Sequence, residues 1–560
     1  MRAFVSLLLG GVLMAFVGYF WMAQPESLPE RYILSADRIL TLASDPPYAQ
    51  AVLVSEGEIA AVGDAEALAA QFDVPVVHRS AVITPGLVEP HTHPIAAALL
   101  GATLDVSAFS HTGRESIMAA LEEAAGKRAI TPWIVAFGWD PVAFPGMLPP
   151  TLEELDAIAP DRPMLILSQM LHDAYINTAA KEAAGVQIAG NHLHETAAVN
   201  SVVSKIPSAS SAVVELLVRR QFAKYAQAGF TTIGVTGAVG RHDDPVGLLQ
   251  TLSTEPRSAL RSFVYLLQDQ HGEHPFGGNM DFAVLGVKLW LDGSPFTGGA
   301  ATASPYARTQ LVNSFLGIPA GQKAPVMMGK ADFVDLALPL QQVGAQLALH
   351  VQGERAVDRA LDGIAELQTR HPQPGLHHRL EHNALITKEQ IERAVALGVS
   401  LSFFVDHVTY YGHVLPLLFG VPRAERYMPM ADALAAGASV SLHGDHPATP
   451  IDPTQTLRTA VTRQGLHGDG PTGIAQAISK EAALAAMTRE AAWQLRQGDT
   501  LGTISVGKQA DFTLWSSDPL EDGATSAEVL GTIKAGQPVD TRMISWLKPR
   551  LVWQALREML

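Results

Sequence analysis

The chain contains no cysteine. Disulfides, thiol nucleophiles and thiolate metal sites are therefore excluded, and any metal must be held by histidine, carboxylate or a less usual ligand. Basic residues are scarce: 39 Lys and Arg stand against 55 Asp and Glu, a formal charge of −16. That balance argues against nucleic acid, whose phosphates call for clustered cations. Charged residues make up only 17% of the chain and hydrophobic residues 48%, which excludes a disordered polymer. Internal repeats and low-complexity segments are missing too. At 560 residues the chain can hold a large core with one or two satellites.

What is present begins with an apolar run. Ala3 to Ala23 carries no charge and is about as long as a helix that crosses a bilayer. Secretory apolar cores are shorter and end in small residues, whereas a cut after Ala23 would put the bulky Trp21 two residues ahead of it. Tyr19, Phe20 and Trp21 suit an interfacial aromatic belt. An uncleaved anchor over residues 1–24 is the favoured expectation, with a cleaved signal as the alternative. Arg2 before the run, and Glu26 and Glu30 after it, put the N-terminus in the cytoplasm and the body on the periplasmic side. Cleavage would make the body a secreted protein.

Residues 31–85 and 500–540 read as short, partly alternating strands and suggest one small β-sandwich domain built from both termini. Between them, at 86–499, short apolar strands alternate with helical patterns. The strands are GLVEPHTH (86–93), GFTTIGVTG (229–237), SFVYLLQD (262–269), AVLGVKLWLDG (283–293), AQLALHVQG (345–353), HHRLEHN (377–383), VSLSFFVDH (399–407) and ASVSLHGDH (438–446). Eight such units predict an α/β fold, a parallel (β/α)8 TIM-like barrel. Residues 100–225 far exceed an ordinary strand–helix loop and contain strands of their own, so they predict an inserted subdomain. Loops that follow barrel strands gather at the active-site face, so the insert is expected to roof the site.

The strands carry polar residues that an apolar barrel does not need. His91 and His93 stand two apart on the first, and residues i and i+2 of a strand share a face, where two imidazoles can hold a metal. Two solvated histidines at a strand end would read the same way. Lys288, His350, His382 and Asp445 follow on strands four, five, six and eight. Each alone has a structural explanation: a core histidine, a helix cap, a lysine paired with a carboxylate. Their joint order carries the weight.

That ordered set, with TPGLVEPHTHP, GVKLWLDGS, HVQGERAVDRALD, HRLEHNALIT, SLHGDHPATPIDP and the closing LGTISVGKQADFTLWSSDP, resembles the metal-dependent amidohydrolase superfamily. Within it the chain is most similar to the amidohydrolase-3 group of YtcJ-like and N-substituted formamide deformylase-like proteins, over residues 31–540. The resemblance implies two divalent metal ions, with Zn2+ the first choice and Mn2+ or Fe2+ open. His91, His93, His350 and His382 would be imidazole ligands. Lys288, carboxylated on its ε-nitrogen, would bridge the ions, and Asp445 would be both ligand and general base. Trp139, His172 and His407 fall where the group has pocket residues; packing is their alternative role. The implied activity is hydrolysis of a C–N bond in an amide, formamide or cyclic amide through a metal-activated hydroxide. An ester or carbamate hydrolase on the same site, or a membrane-anchored non-catalytic binding protein, are the alternatives. The chain departs from the group at Pro295–Gly299, where relatives carry an arginine-containing run, and at Glu354, where Asp is commoner. His443 and His446 read as supporting or surface residues. A small amide-like molecule is the expected partner, and homo-oligomerisation is left open.

The last segment, TRMISWLKPRLVWQALREML (541–560), lies beyond the resemblance. It predicts a basic amphipathic helix, either docked on the barrel or lying in a membrane interface.

Overall fold

The computed structural model describes residues 25–127, 131–144, 146–171, 173–194, 196–270, 272–466, 470–521 and 527–559. The expected anchor at 1–24 and the expected pocket residue His172 lie outside the described residues. Among the described residues, no helix is long and apolar enough to cross a membrane.

Eight parallel strands form the main path of one nine-stranded sheet: β1 (Leu87–Thr92), β2 (Phe230–Thr236), β3 (Arg261–Leu266), β4 (Phe282–Trp290), β5 (Gln346–Val351), β6 (Arg379–His382), β7 (Ser400–Phe403) and β8 (Val440–Leu442), with the two-residue strand Gly277–Gly278 antiparallel to β4. Neighbours in space are neighbours in sequence, as successive βα units require. The ladder runs from β1 to β8, and the seam between those two is tied by side chains and single backbone bonds. Gly444 N donates to Glu89 Oε2 at 3.2 Å, His93 N to the His446 carbonyl at 3.0 Å and Thr92 Oγ1 to the same carbonyl at 3.1 Å. The walls demand one glycine in particular. A Cβ on Gly286 of β4 would stand 1.7 Å from the carbonyl oxygen of Gln346 on β5. The strand expected at 399–407 stops at Phe403, and His407 belongs instead to the short helix Asp406–Tyr411.

The two ends of the chain share a seven-stranded sheet: Arg31–Leu40, Tyr48–Ser55, Glu58–Gly63, Val76–Pro85, Phe512–Trp515, Val529–Lys534 and Gln537–Pro538. It curls until Tyr32, Ile59, Phe512 and Ile533 line one core, and Tyr32 donates from its hydroxyl to Gly536 O at 2.7 Å. This sheet meets the N-terminal ends of the barrel strands. Arg261, buried at the start of β3, reaches Asp511 at 2.9 Å and Asp281 at 2.6 Å. The barrel's other end is thereby left for the site.

Between β1 and β2 lies a five-stranded sheet of Leu104–Asp105, Ile134–Trp139, Met164–Ser168, Asp173–Ile176 and His192–His194. The helix Ser211–Gln227 that follows contributes Phe222 and Tyr225 to the barrel core. The insert's sheet sits over the strand ends. Gln169 donates to the carbonyls of Pro447 and Ala448 at 3.1 and 3.0 Å, and the Tyr411 hydroxyl donates to Asp140 at 2.7 Å. The C-terminal helix Pro549–Met559 buries Leu551 and Ala555 against Ala212, while Trp553 stays 64% exposed with Arg557 stacked on its ring.

Candidate metal centre

β1 delivers His91, and one residue past its end stands His93, which opens the helix Pro94–Leu100. Each ring is oriented through one nitrogen. His91 Nδ1 lies 2.7 Å from Glu381 Oε2, and His93 Nδ1 lies 3.3 Å from the Gly237 carbonyl. The two Nε2 atoms then aim at one carboxylate oxygen, Asp445 Oδ1, at 3.4 and 3.2 Å. Fixing one ring nitrogen to set the direction of the other is what a metal-ligating histidine needs.

Asp445 sits just after β8 in left-handed backbone, φ 50°. His382, at the end of β6, is also left-handed, φ 76°, followed by Asn383 at φ 56°. For residues other than glycine such conformations cost about 1–3 kcal/mol each and persist only where the surroundings enforce them. Here the Asn383 amide enforces the turn by donating to Leu380 O at 2.7 Å and Ser402 O at 3.0 Å. The result turns the His382 ring back into the barrel mouth, with its Nδ1 3.9 Å from Asp445 Oδ2 and its ring centroid 4.7 Å from that of His91. His350, near the end of β5, completes the ring set, 4.5 Å from His382 between centroids. Its Nδ1 lies 3.1 Å from Asp292, a fully buried carboxylate that also accepts from the backbone of Gln352, Gly353 and Ala301.

Lys288 stands near the C-terminal end of β4, beside this cluster. Its Nζ is buried and finds no hydrogen-bond partner among the described residues, and Asp445 Oδ1 is likewise buried without one. A buried unpaired ammonium is costly. Burial pulls the Lys288 amine down to about 8, with Glu381 and Asp445 only partly opposing the shift. Burial, then the neighbouring Lys288, pushes His91 well below the usual imidazole range. His382 is depressed too, by burial and then by His350. The His91 and His382 rings are therefore neutral, the form that ligates a metal. Two orphaned polar atoms and imidazoles converging on a carboxylate oxygen fit a bound divalent cation, and the all-N/O donor set suits Zn2+ among others.

The remaining expected residues are placed as follows. His407 is buried, its ring tilted against Phe404 with centroids 3.8 Å apart; its Nδ1 lies 3.1 Å from the Tyr427 hydroxyl, and burial holds its ring neutral by lowering it to about 3. Trp139 is buried in the core of the insert, edge-on to Tyr175, its indole N–H without a hydrogen-bond partner among the described residues. A register shift between Phe137 and Trp139, at Gly138 with φ 116°, re-aims its side chain. His446 is half-buried and edge-on to Tyr225.

Three supporting residues, Glu381, Asp292 and Glu89, carry no role in the sequence reading, and His443 takes the supporting one of its two. Glu381 and Asp292 orient His91 and His350. Glu89 accepts from His91 N at 3.2 Å as well as from Gly444 N, which locks the histidine strand to the Asp445 turn. His443, fully buried, places Nδ1 2.8 Å from Ser402 Oγ and Nε2 3.2 Å from His382 Nδ1, and stacks on His91 at 4.6 Å. The available signal was a run of charged and imidazole residues in otherwise apolar strands, where nothing but a polar site justifies them.

Comparison with known proteins agrees with this architecture. The chain is 26% identical over 500 residues to an N-substituted formamide deformylase of Arthrobacter pascens, covering 84% of this chain and 91% of that one. It is 24% identical to YtcJ of Bacillus subtilis (strain 168), covering 86% and 93%. Among solved structures, an uncharacterized metal-dependent hydrolase from Pyrococcus horikoshii OT3 superimposes with a TM-score of 0.71 at 21% identity, covering 89% of this chain and 99% of that one. The amidohydrolase family profile matches residues 80–540, and the chain belongs to the amidohydrolase family.

Proposed function

We propose that the protein is a metal-dependent hydrolase that cleaves a C–N bond in a small amide, formamide or cyclic amide. The observation that carries this reading is the convergence of His91 and His93 Nε2 on Asp445 Oδ1 beside the buried, unpartnered Lys288 Nζ. His91, His93, His350, His382, Lys288 and Asp445 would hold two divalent ions, most simply Zn2+. When bound, such ions polarise a carbonyl and acidify water.

The chain's own groups supply the rest. An amine lowered to about 8 is neutral in roughly a tenth of molecules at pH 7, against well under a thousandth for an ordinary lysine, so Lys288 is prepared to take up carbon dioxide and become an anionic oxygen ligand. Asp445, the carboxylate at the mouth, accepts the proton of the attacking water and returns it to the departing nitrogen. A positioned group of this kind contributes about 10²–10⁴-fold. Glu381 and Asp292 keep His91 and His350 in register, and the insert above Pro447 and Ala448 shields the reacting atoms from bulk water. Trp139, His172 and His407 are proposed to border the substrate.

The test is a screen of N-formyl, N-acyl and cyclic amides, with esters and carbamates alongside, on protein lacking residues 1–24. Metal content is measured on the same samples. Turnover of an amide that vanishes with chelation and returns with Zn2+ supports the reading; a metal-loaded protein inert on every amide overturns it. The apolar run at 1–24 is further proposed to anchor the body on the periplasmic side, which fractionation of the full chain decides.

A further inference from the structure

Away from the barrel, the insert carries a second group of metal-ligating side chains. In the strand His192–His194 the two histidines are i and i+2 and so share a face. The antiparallel partner strand puts Asp173 opposite His194 and Tyr175 opposite His192. Both imidazoles converge on a single oxygen. His192 Nε2 is 2.9 Å and His194 Nδ1 2.7 Å from Asp173 Oδ1, and the three donor atoms all lie within 4.8 Å of one another.

A tetrahedral ion with bonds of about 2.0–2.1 Å needs its donors ~3.4 Å apart, so an opening of roughly half an ångström admits one. Partial burial alone would push the Asp173 carboxyl up, yet the hydrogen bonds from His192 and His194 outweigh it and hold the group below its ordinary value, in the anionic form a cation requires. The imidazoles are 46% and 63% exposed, so an ion can reach them from solvent. The Tyr175 ring stacks on His192 at 4.9 Å and limits its rotation.

We propose that Asp173, His192 and His194 form a second divalent-metal site, of the zinc class, separate from the barrel centre. Two imidazoles and a carboxylate leave one position of a tetrahedral ion for water. The site would act as a clasp. It joins two strands of the insert four residues after Gln169, the residue that holds the loop following Asp445.

The experiment isolates this ion in chains whose barrel centre is disabled by Lys288→Ala. Chelated full-length protein is dialysed against zinc, and zinc per chain is measured by elemental analysis. Hydrogen exchange over residues 164–194 is followed with and without zinc. The Lys288→Ala chain is expected to keep one equivalent that Lys288→Ala/His192→Ala loses, and zinc is expected to slow exchange in the former and leave the latter unchanged. Asp173→Asn replaces His192→Ala should the latter not fold, since it keeps the size of the side chain while removing the charge. Equal zinc uptake by the triad variants and their parent, or exchange in the parent that does not respond to zinc, overturns the proposal.

Discussion

His378 gives the fold an acid-labile point far from the metal centre. It stands just before β6, 2% exposed, and bridges two elements: Leu347 N on β5 donates to its Nδ1 at 3.0 Å, and its Nε2 donates to Gln341 Oε1 at 3.0 Å. Both nitrogens are committed, so protonating Nδ1 would break the backbone bond as well as bury a charge. Burial accordingly lowers the ring from 6.5 to about 3. Between those values the unfolded chain binds a proton that the folded chain refuses. This contribution is therefore intact above about pH 6.5 and is lost as pH falls, at about 1.4 kcal/mol per unit. From pH 6.5 to 4.5 it amounts to roughly 3 kcal/mol. His378→Asn offers a non-titrating acceptor where Nδ1 was and leaves Gln341 Oε1 without its donor, at a cost of about 1–3 kcal/mol. Near neutrality the variant should be less stable than the parent, and the two urea-unfolding curves should cross near pH 5. Other buried histidines titrate in both proteins and cancel in the difference. Chelated samples followed by tryptophan fluorescence from pH 7.5 to 4.5 give the comparison. A stability gap that stays constant across that range would refute the reasoning.

Four further outcomes are expected. Asp445→Asn should leave circular dichroism largely intact and lower kcat by at least about 10²–10⁴-fold, read on any substrate the screen yields. Lys288→Ala should lower metal content and turnover together, with partial recovery of both on adding a short carboxylic acid; a variant that keeps two ions and full rate removes the bridging role. Glu381→Gln leaves Arg379, 2.9 Å away and fully buried, without its counter-charge, so it should destabilise by about 3–5 kcal/mol and weaken metal binding about 10–100-fold. Leu551→Asp should release the C-terminal helix from Ala212, seen as rapid hydrogen exchange over 549–559 with the barrel still protected.

The barrel was legible because its strands are near-continuous apolar runs interrupted by a few polar residues. Lys288 within LGVKLWL and His382 within HRLEHN could not be explained as core, and the structure brings both to one mouth with His91, His93, His350 and Asp445. The supporting shell was harder to read. Glu381 and His382 are adjacent, so simple alternation sends them to opposite faces; only the left-handed turn at His382 and Asn383 brings both to the site. His443 looked peripheral because it flanks Asp445, yet β8 is short and still directs it inward to Ser402. The end of β7 was misjudged for a related reason: VSLSFFVDH is apolar enough for a long strand, but Asp406 and His407 pack as the first turn of a helix. Hydrophobicity identified what is buried without identifying the backbone that buries it. The C-terminal helix shows the same limit, since its stripe predicted a covered face and the tertiary contact with Ala212 decided which residues were covered.

The barrel interior explains why such a site tolerates its own cost. An ordinary barrel of this size fills with layers of branched apolar side chains. Here a polar column runs beneath the mouth. The Tyr265 hydroxyl donates to Gln346 Oε1 at 2.8 Å, Arg379 approaches the Tyr265 hydroxyl at 3.4 Å and the Pro90 carbonyl at 3.1 Å, and Glu381 sits between Arg379 and His91. A buried ion pair adds little net stability compared with apolar packing. What this one adds is direction. Pro90 and His91 are consecutive, so Arg379 holds the backbone of the histidine strand while Glu381 holds its ring. Packed aliphatic side chains would fill the same volume and leave the imidazole free to rotate. The column therefore accounts for the placement of His91 to within a hydrogen bond, and with it the line from His91 Nε2 to Asp445 on which the proposed chemistry depends.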